Sequence, residues 1–418
     1  MYSLQADPLF ERHKASILRL LKLLRQVDGA SPDSAILWAL QRDIRRQVIK
    51  AEQGVLRARK REVRLKQSRP RTRVSREVAN RTKQRIEKAK ERGDRYRDLA
   101  VFYRAVGDGI AHTLFDRFDL KPLAFKERSG FVYRKEGGQL EMRILRAVLK
   151  RGVPAVLCDL TNCLRYGDLF VRSDDRPPLM LEVKSSKSSR GRAERQVAAL
   201  ERMSSYLTTD ETENLYGRVG TTTRVSVSAM PTSHASEWLS LVDAAKVRGW
   251  ALREVETGLY YIAVTRGSDE LFEQYGEEIA RCSLYMLNSS KFDGSWSGYV
   301  PFTKSLVDEQ LVYSFAAGEV LLLVAYDRAH VQSKFAEVGC RLAYEPPGEG
   351  PDDPVGDTEG MGWWIEVPIE GSSLPARTAV SHHMIGRIAM EFVSLDWMIR
   401  EMSRMPSLSK SALGADDR

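Results

Sequence analysis

Apolar residues recur at three- and four-residue intervals through the first quarter of the chain. Ile17, Leu20, Leu21 and Leu24 predict a helix over 9–27. After the turn Gly29-Ala30-Ser31-Pro32, residues Leu37, Leu40, Ile44, Val48, Ala51 and Val55 form one stripe of a second helix. It begins near Ser34 and is broken by Pro70. A third helix starts near Ser75, with Val78, Thr82, Ile86, Ala89, Gly93, Tyr96, Ala100 and Tyr103 in register, and runs on toward Val106 and Ile110. Two long helices joined by a short loop predict an antiparallel, coiled-coil-like hairpin. About 35 helical residues at ~1.5 Å each make it roughly 50 Å long.

The period then changes. A helix over 139–150, strands at 155–158, 168–171 and 179–183, a helix over 192–207 and a strand at 223–227 give the order αβββαβ, a mixed α/β core around one sheet. Further on come a helix at 234–248, strands near 259–264 and 319–326, a helix at 328–338, a strand at 363–369 and a last amphipathic helix over 382–402. A Pro-, Gly- and acid-rich stretch at 344–360 is expected to be an exposed loop. The boundaries that follow are a basic α-helical hairpin region (1–116), the α/β core (117–232) and an α/β C-terminal region of unassigned role (233–418). A chain of 418 residues, at roughly 100–200 per domain, predicts two to four domains.

Charge changes the picture of the hairpin. Residues 42–97 hold 22 Lys and Arg against 7 Asp and Glu, while the remainder holds 43 against 49. The basicity is therefore local and points to a polyanion engaged by the hairpin. Nucleic acid is the expected partner. The competing reading is an arm for self-association or for a partner protein, through these helices or the C-terminal region. Four scattered cysteines make neither a disulfide framework nor a paired-CxxC zinc site, and suit a reducing cytoplasm. With no apolar run of membrane-spanning length and no signal-peptide pattern at the start, no membrane association is expected.

Candidate chemistry concentrates in the core. Asp168 follows Tyr166-Gly167 at the start of a strand, and Glu182-Val183-Lys184 ends the next one. Residues i and i+2 of a strand share a face, so Glu182 and Lys184 point together, and a hairpin pairing would bring Asp168 to them. Two carboxylates and an ammonium suit metal-assisted phosphodiester hydrolysis, with hard oxygen ligands for Mg²⁺ and a cation for water or phosphate. Glu141 lies on the side of its helix that carries Leu140, Ile144, Leu145 and Val148, where a carboxylate needs a partner. The Ser/Lys/Arg/Gly run at 185–192 suits phosphate contacts, or is simply a connector. Asp108 and His112, at i and i+4, are expected to make a structural pair. His382-His383 is expected to be a solvated or capping feature, and Cys158 and Cys163 to be free and buried.

At these residues the chain resembles the PD-(D/E)XK nuclease superfamily, the restriction-endonuclease-like fold. The pattern is Asp168, a spacer, then Glu182-Val183-Lys184, with the αβββαβ order around it. Gly167 stands where the family usually has Pro. Gly137-Gly138-Gln139-Leu140-Glu141 supplies the GxxxE of many members, and Gln196 falls on the helix that often carries a Gln. Leu200 replaces the Tyr of the QxxxY form. The resemblance covers about residues 137–228. It implies Mg²⁺-dependent (or Mn²⁺-dependent) phosphodiester hydrolysis by an endonuclease or exonuclease, with DNA favoured over RNA as the substrate, in restriction, anti-phage defence or repair. It also implies Asp168, Glu182 and Glu141 as metal ligands, Lys184 at the attacking water and Gln196 as an accessory. From a different class, a nonenzymatic nucleic-acid-binding or assembly protein would keep this fold without turnover.

Overall fold

The structure is a computed structural model that describes residues 4–68, 75–124, 130–173, 177–183, 190–215, 221–224, 226–227, 229–267, 269–345, 362–367, 376–380 and 382–413. Pro70 and most of the expected 344–360 loop lie outside them. The chain is mixed α/β, with long N-terminal helices and small antiparallel sheets. It divides into two compact units: Asp7–Thr212, and Met1–Ala6 together with Glu213–Arg418.

In the first unit, α1 (Pro8–Arg25), α2 (Ser34–Gln67) and α3 (Arg76–Leu114) start on the side-chain caps Asp7, Asp33 and Ser75, each accepting from free N–H groups of the first turn. The apolar stripe of α2 is buried as far as Ala58, and its remaining turns to Gln67 bury nothing. α3 buries Ile86, Ala89 and Gly93 sparsely and is almost continuously buried from Leu99 onward. One half of the helix pair is thus a core element and the other half is a projecting basic arm. Gly107 shows how closely the core half packs: a Cβ there would lie 1.9 Å from the Leu160 carbonyl oxygen.

α4 (Gly138–Lys150), β1 (Ala155–Leu157), β2 (Leu169–Val171), β3 (Leu179–Leu181) and α5 (Arg190–Thr209) follow, and the strands form an antiparallel sheet in the order β1-β2-β3. The strand expected at 223–227 is assigned instead to Thr221–Thr223 and is not part of that sheet. The free edge of β1 is filled from the helices. Gln41 of α2, fully buried, donates to the Ala155 carbonyl (2.9 Å) and accepts from the Leu157 N–H (2.9 Å). One side-chain amide replaces the two bonds a neighbouring strand would make, as a buried edge requires. Gln41→Leu should therefore cost about 2–3 kcal/mol through two orphaned backbone groups, read as a lower urea midpoint at unchanged m-value.

Buried polar side chains tie the helices to the loops around the sheet. Asp108 accepts from the backbone N–H groups of Asn162 (2.6 Å) and Cys163 (2.9 Å) and from the Asn162 amide (2.8 Å). The expected pairing with His112 is replaced by this loop anchor, because a buried carboxylate takes N–H donors wherever the backbone offers them. Cys158 and Cys163 are free and buried, as expected.

The second unit is built on α6 (Glu237–Arg248), β4 (Trp250–Glu256), β5 (Leu259–Val264), α7 (Asp269–Arg281), β6 (Cys282–Met286), α8 (Glu309–Ala317), β7 (Leu321–Asp327) and α9 (Arg328–Glu337). Its antiparallel sheet runs β4-β5-β7-β6. β8 (Arg341–Glu345), β9 (Gly362–Val367) and β10 (Ala376–Val380) form a second sheet, and α10 (His382–Met390) and α11 (Leu395–Leu413) follow. The single helix expected over 382–402 is two, broken where Phe392 takes a positive φ of 57°. The apolar pattern continues across the break because Phe392, Val393 and Leu395 are all buried. His383 is buried and stacks on Tyr299 with ring centroids 4.3 Å apart, which corrects the solvated reading.

The break is held by Glu256. Its carboxylate accepts from the N–H groups of Leu395 (2.9 Å) and Asp396 (2.7 Å), from the Ser394 hydroxyl (3.1 Å), and pairs with His234 Nε2 (2.9 Å). Burial acts to raise its pKa, but the four donors outweigh it and leave the group below the ordinary glutamate range. A depressed folded pKa stabilises above the unfolded value and is lost as pH falls through the folded one. Glu256→Gln should thus lower stability by about 1–2 kcal/mol at pH 7, with the gap closing as pH drops below ~4 in urea titrations.

Candidate functional site

Three carboxylates from three different elements meet at one ammonium. Lys135 Nζ lies 2.6 Å from Asp159 Oδ2, 2.7 Å from Asp168 Oδ1 and 3.1 Å from Glu141 Oε1. Glu141 comes from the first turn of α4, Asp168 from the residue before β2, and Asp159 from the short helical turn after β1.

Asp168 is fixed by the sheet. Its N–H donates to the Leu181 carbonyl (2.8 Å) and its own carbonyl accepts from the Cys158 N–H (2.9 Å). β2 and β3 pair with Leu169 opposite Leu181 and Phe170 opposite Met180, so one further step along the ladder sets Asp168 opposite Glu182. The second carboxylate oxygen of Asp168 accepts from the Val183 N–H at 2.8 Å. Gly167 now has a reason: its φ is 71°, which Pro cannot adopt, and a Cβ there would sit 2.9 Å from the Leu181 carbonyl oxygen.

Lys135 is placed by a second buried carboxylate. Glu52 of α2, fully buried, accepts from the N–H groups of Val132 (3.2 Å) and Tyr133 (2.7 Å) and from Arg104 Nη2 (2.6 Å). Arg104 Nε in turn donates to the Asp159 carbonyl (3.1 Å). One helix-borne pair therefore positions both the segment that carries Lys135 and the turn that carries Asp159. Between the Tyr133 anchor and Lys135, Arg134 takes a positive φ of 67°, a conformation that a non-glycine residue adopts at some cost.

Burial raises the Glu141 pKa, and Lys135 only partly opposes this. Burial by itself would lower the Lys135 pKa, but Asp159 and Asp168 outweigh it and hold the ammonium charged. Burial, with the charges of Asp159, Asp168 and Glu182 beside it, pushes the Cys158 thiol well up, so it supplies no thiolate nucleophile.

Of the residues singled out from the sequence, Glu141 and Asp168 are brought to the same point and Glu182 stands across the ladder, half-buried. Lys184, with the run 185–189, lies outside the described residues, as does the side chain of Gln196 on α5. Sequence reasoning missed Lys135 and Asp159. Asp159 carried one signal, an acid immediately after the apolar run Ala155–Cys158. Lys135 carried none, because only the fold folds its loop back over the sheet.

Among the described residues, no three His, Cys, Asp or Glu side chains stand close enough together to hold a metal ion. The ammonium of Lys135 occupies the point where three of them meet. Their chemistry nevertheless suits Mg²⁺: all are hard carboxylate oxygens, and one ammonium leaves a surplus of negative charge among Glu141, Asp159 and Asp168, with Glu182 adjacent. Among the described residues no helix is long and apolar enough to cross a membrane. No family model, curated protein or solved structure matches the chain.

Proposed function

We propose that the protein is a metal-dependent nuclease of the PD-(D/E)XK kind, hydrolysing phosphodiester bonds, with DNA the favoured substrate. The observation that carries this reading is the hairpin β2/β3, which sets Asp168 opposite Glu182 and ties its carboxylate to Val183, with Glu141 drawn to the same spot from the preceding helix. Asp168, Glu182 and Glu141 would hold Mg²⁺ or Mn²⁺, and Asp159 joins them. When bound, the metal supplies Lewis-acid activation of water and charge neutralisation at the phosphate. The chain's own part is to hold Asp168 rigid through the sheet and to keep Glu141, Asp159 and Asp168 clustered through Lys135, and the residue that would act on the attacking water is Lys184. Glu52 and Arg104 act as positioning residues. Restriction, anti-phage defence and repair all remain within this reading.

A second reading rests on Lys135 itself: an ammonium that already satisfies three carboxylates is what a nonenzymatic nucleic-acid-binding or assembly protein would retain as a structural hub. The two are separated by incubating purified protein with single-stranded DNA, duplex DNA and RNA in Mg²⁺, Mn²⁺ or EDTA. Cleavage is expected with either metal and not in EDTA. Intact substrates under every condition would sink the nuclease reading.

A further inference from the structure

The outer face of α2 and the loop ahead of Lys135 enclose an open groove, separate from the carboxylate cluster. Arg57, Lys60 and Arg64 line it at i, i+3 and i+7, one face of the helix, and Arg134 closes it from the loop side. Interleaved with these cations are Leu56, Val63 and the Tyr133 ring, with the Arg134 guanidinium 5.1 Å from the ring centroid.

This surface differs from an ordinary solvated helix in the apolar groups it carries among its charges. Some cations of the arm are paired locally: Lys66 with Glu62, Arg81 with Glu77, Lys90 with Glu87 and Arg97 with Asp94. Among the described residues no ion pair engages Arg57, Lys60, Arg64 or Arg134. Val63, 43% exposed, and Tyr133 add apolar surface among these charges where a purely electrostatic contact would need none. Cations in a row with aromatic and aliphatic faces between them are the pattern that tracks phosphates while stacking unpaired bases. A duplex buries its bases and would leave Tyr133, Leu56 and Val63 unused.

The groove also has a direction. Tyr133 and Arg134 immediately precede Lys135, so a strand lying along α2 would arrive within two residues of the lysine at which Glu141, Asp159 and Asp168 meet. We infer that this groove binds single-stranded nucleic acid and delivers it to the carboxylate cluster. The inference deepens the nuclease reading and rests on it for the delivery step, whereas the binding step stands alone.

The test measures binding without any divalent metal. Fluorescence anisotropy in EDTA compares labelled single-stranded DNA, single-stranded RNA and a duplex of the same length. Wild type is expected to bind at least one single strand more tightly than the duplex. Tyr133→Ala should weaken single-strand binding by roughly tenfold, with Tyr133→Phe retaining it, since the ring supplies stacking. Replacing Arg57, Lys60 and Arg64 by Gln should flatten the dependence of log K on log salt by about 0.7 per lost contact on a single strand. These side chains are exposed or half-buried, and thermal unfolding checks that each variant is folded. Equal affinity for duplex and single strands together with an indifferent Tyr133→Ala would overturn the inference, as would an unchanged salt slope in the triple variant. Cleavage with unaltered binding by the groove variants would defeat the groove and spare the nuclease. Groove-dependent binding with no cleavage in Mg²⁺ would do the reverse.

Discussion

Lys135→Met is expected to destabilise the metal-free protein by about 3–5 kcal/mol, because removing one partner of a buried ionic cluster strands the others. The carboxylates that meet the ammonium have side chains only 7% (Glu141), 18% (Asp159) and 10% (Asp168) exposed, and without it they repel one another at close range. Lys135 itself is 29% exposed, so water screens part of the loss and the lower end of that range is expected. For a unit of this size the unfolding temperature should drop by roughly 6–12 °C. Mg²⁺ distinguishes the two functional readings. In a metal site the variant presents its carboxylates without a competing ammonium, so it should bind Mg²⁺ more tightly than wild type. A metal at a hundred times its Kd then returns about 2.7 kcal/mol. Thermal unfolding and calorimetric titration, each with EDTA and with Mg²⁺, measure both effects. A variant that loses stability and regains none with Mg²⁺ identifies Lys135 as a structural hub and the cluster as no metal site.

Asp168→Asn should lower Mg²⁺-dependent cleavage on the order of 10³-fold, since a metal ligand worth several kcal/mol converts at about 1.4 kcal/mol per decade. The choice of asparagine matters. Read from the sequence alone, Asp168 and Lys184 are surface-reaching site residues, for which alanine abolishes cleavage and leaves the melting temperature nearly intact. For Asp168 the structure changes that expectation: it is buried, accepts from Val183 and neutralises Lys135, so alanine should also cost about 2–4 kcal/mol through the orphaned N–H and the unbalanced charge. Asparagine keeps an oxygen for Val183 while losing the anion, which separates chemistry from folding. Cleavage rates compared at equal folded fraction, established by circular dichroism, check the result. Asp168→Asn cleaving as fast as wild type would remove Asp168 from the reaction.

These two residues also divide what the chain reveals unaided from what it hides. The helical stripes of α2 and α3, the αβββα order and the pairing of Asp168 with Glu182 were all legible. Each follows from a simple rule: 3.6-residue periodicity, strand-like apolar runs, and a hairpin between neighbouring strands. The burial of Glu141 was legible too, because its helical face is apolar. The excess charge of the arm was plain in composition, although not which of its cations remain unpaired.

What tertiary structure alone decided is the role of polar residues whose partners are distant in sequence. Gln41 closes the β1 edge from more than a hundred residues away, Asp108 turns from His112 to the backbone at Asn162 and Cys163, and Glu52 with Arg104 sets the loop of Lys135. The break before α11 belongs to the same class: periodicity runs through it, and only the donors gathered by Glu256 end one helix and begin the next. The physical reason is common to all. Hydrophobic patterning is repeated over many positions and survives any single substitution, whereas a buried polar group is satisfied by one particular donor or acceptor that folding delivers once the apolar faces have met. Sequence alone therefore singled out Glu141, Asp168 and Glu182, and folding alone supplied Asp159 and the lysine at which Glu141, Asp159 and Asp168 meet.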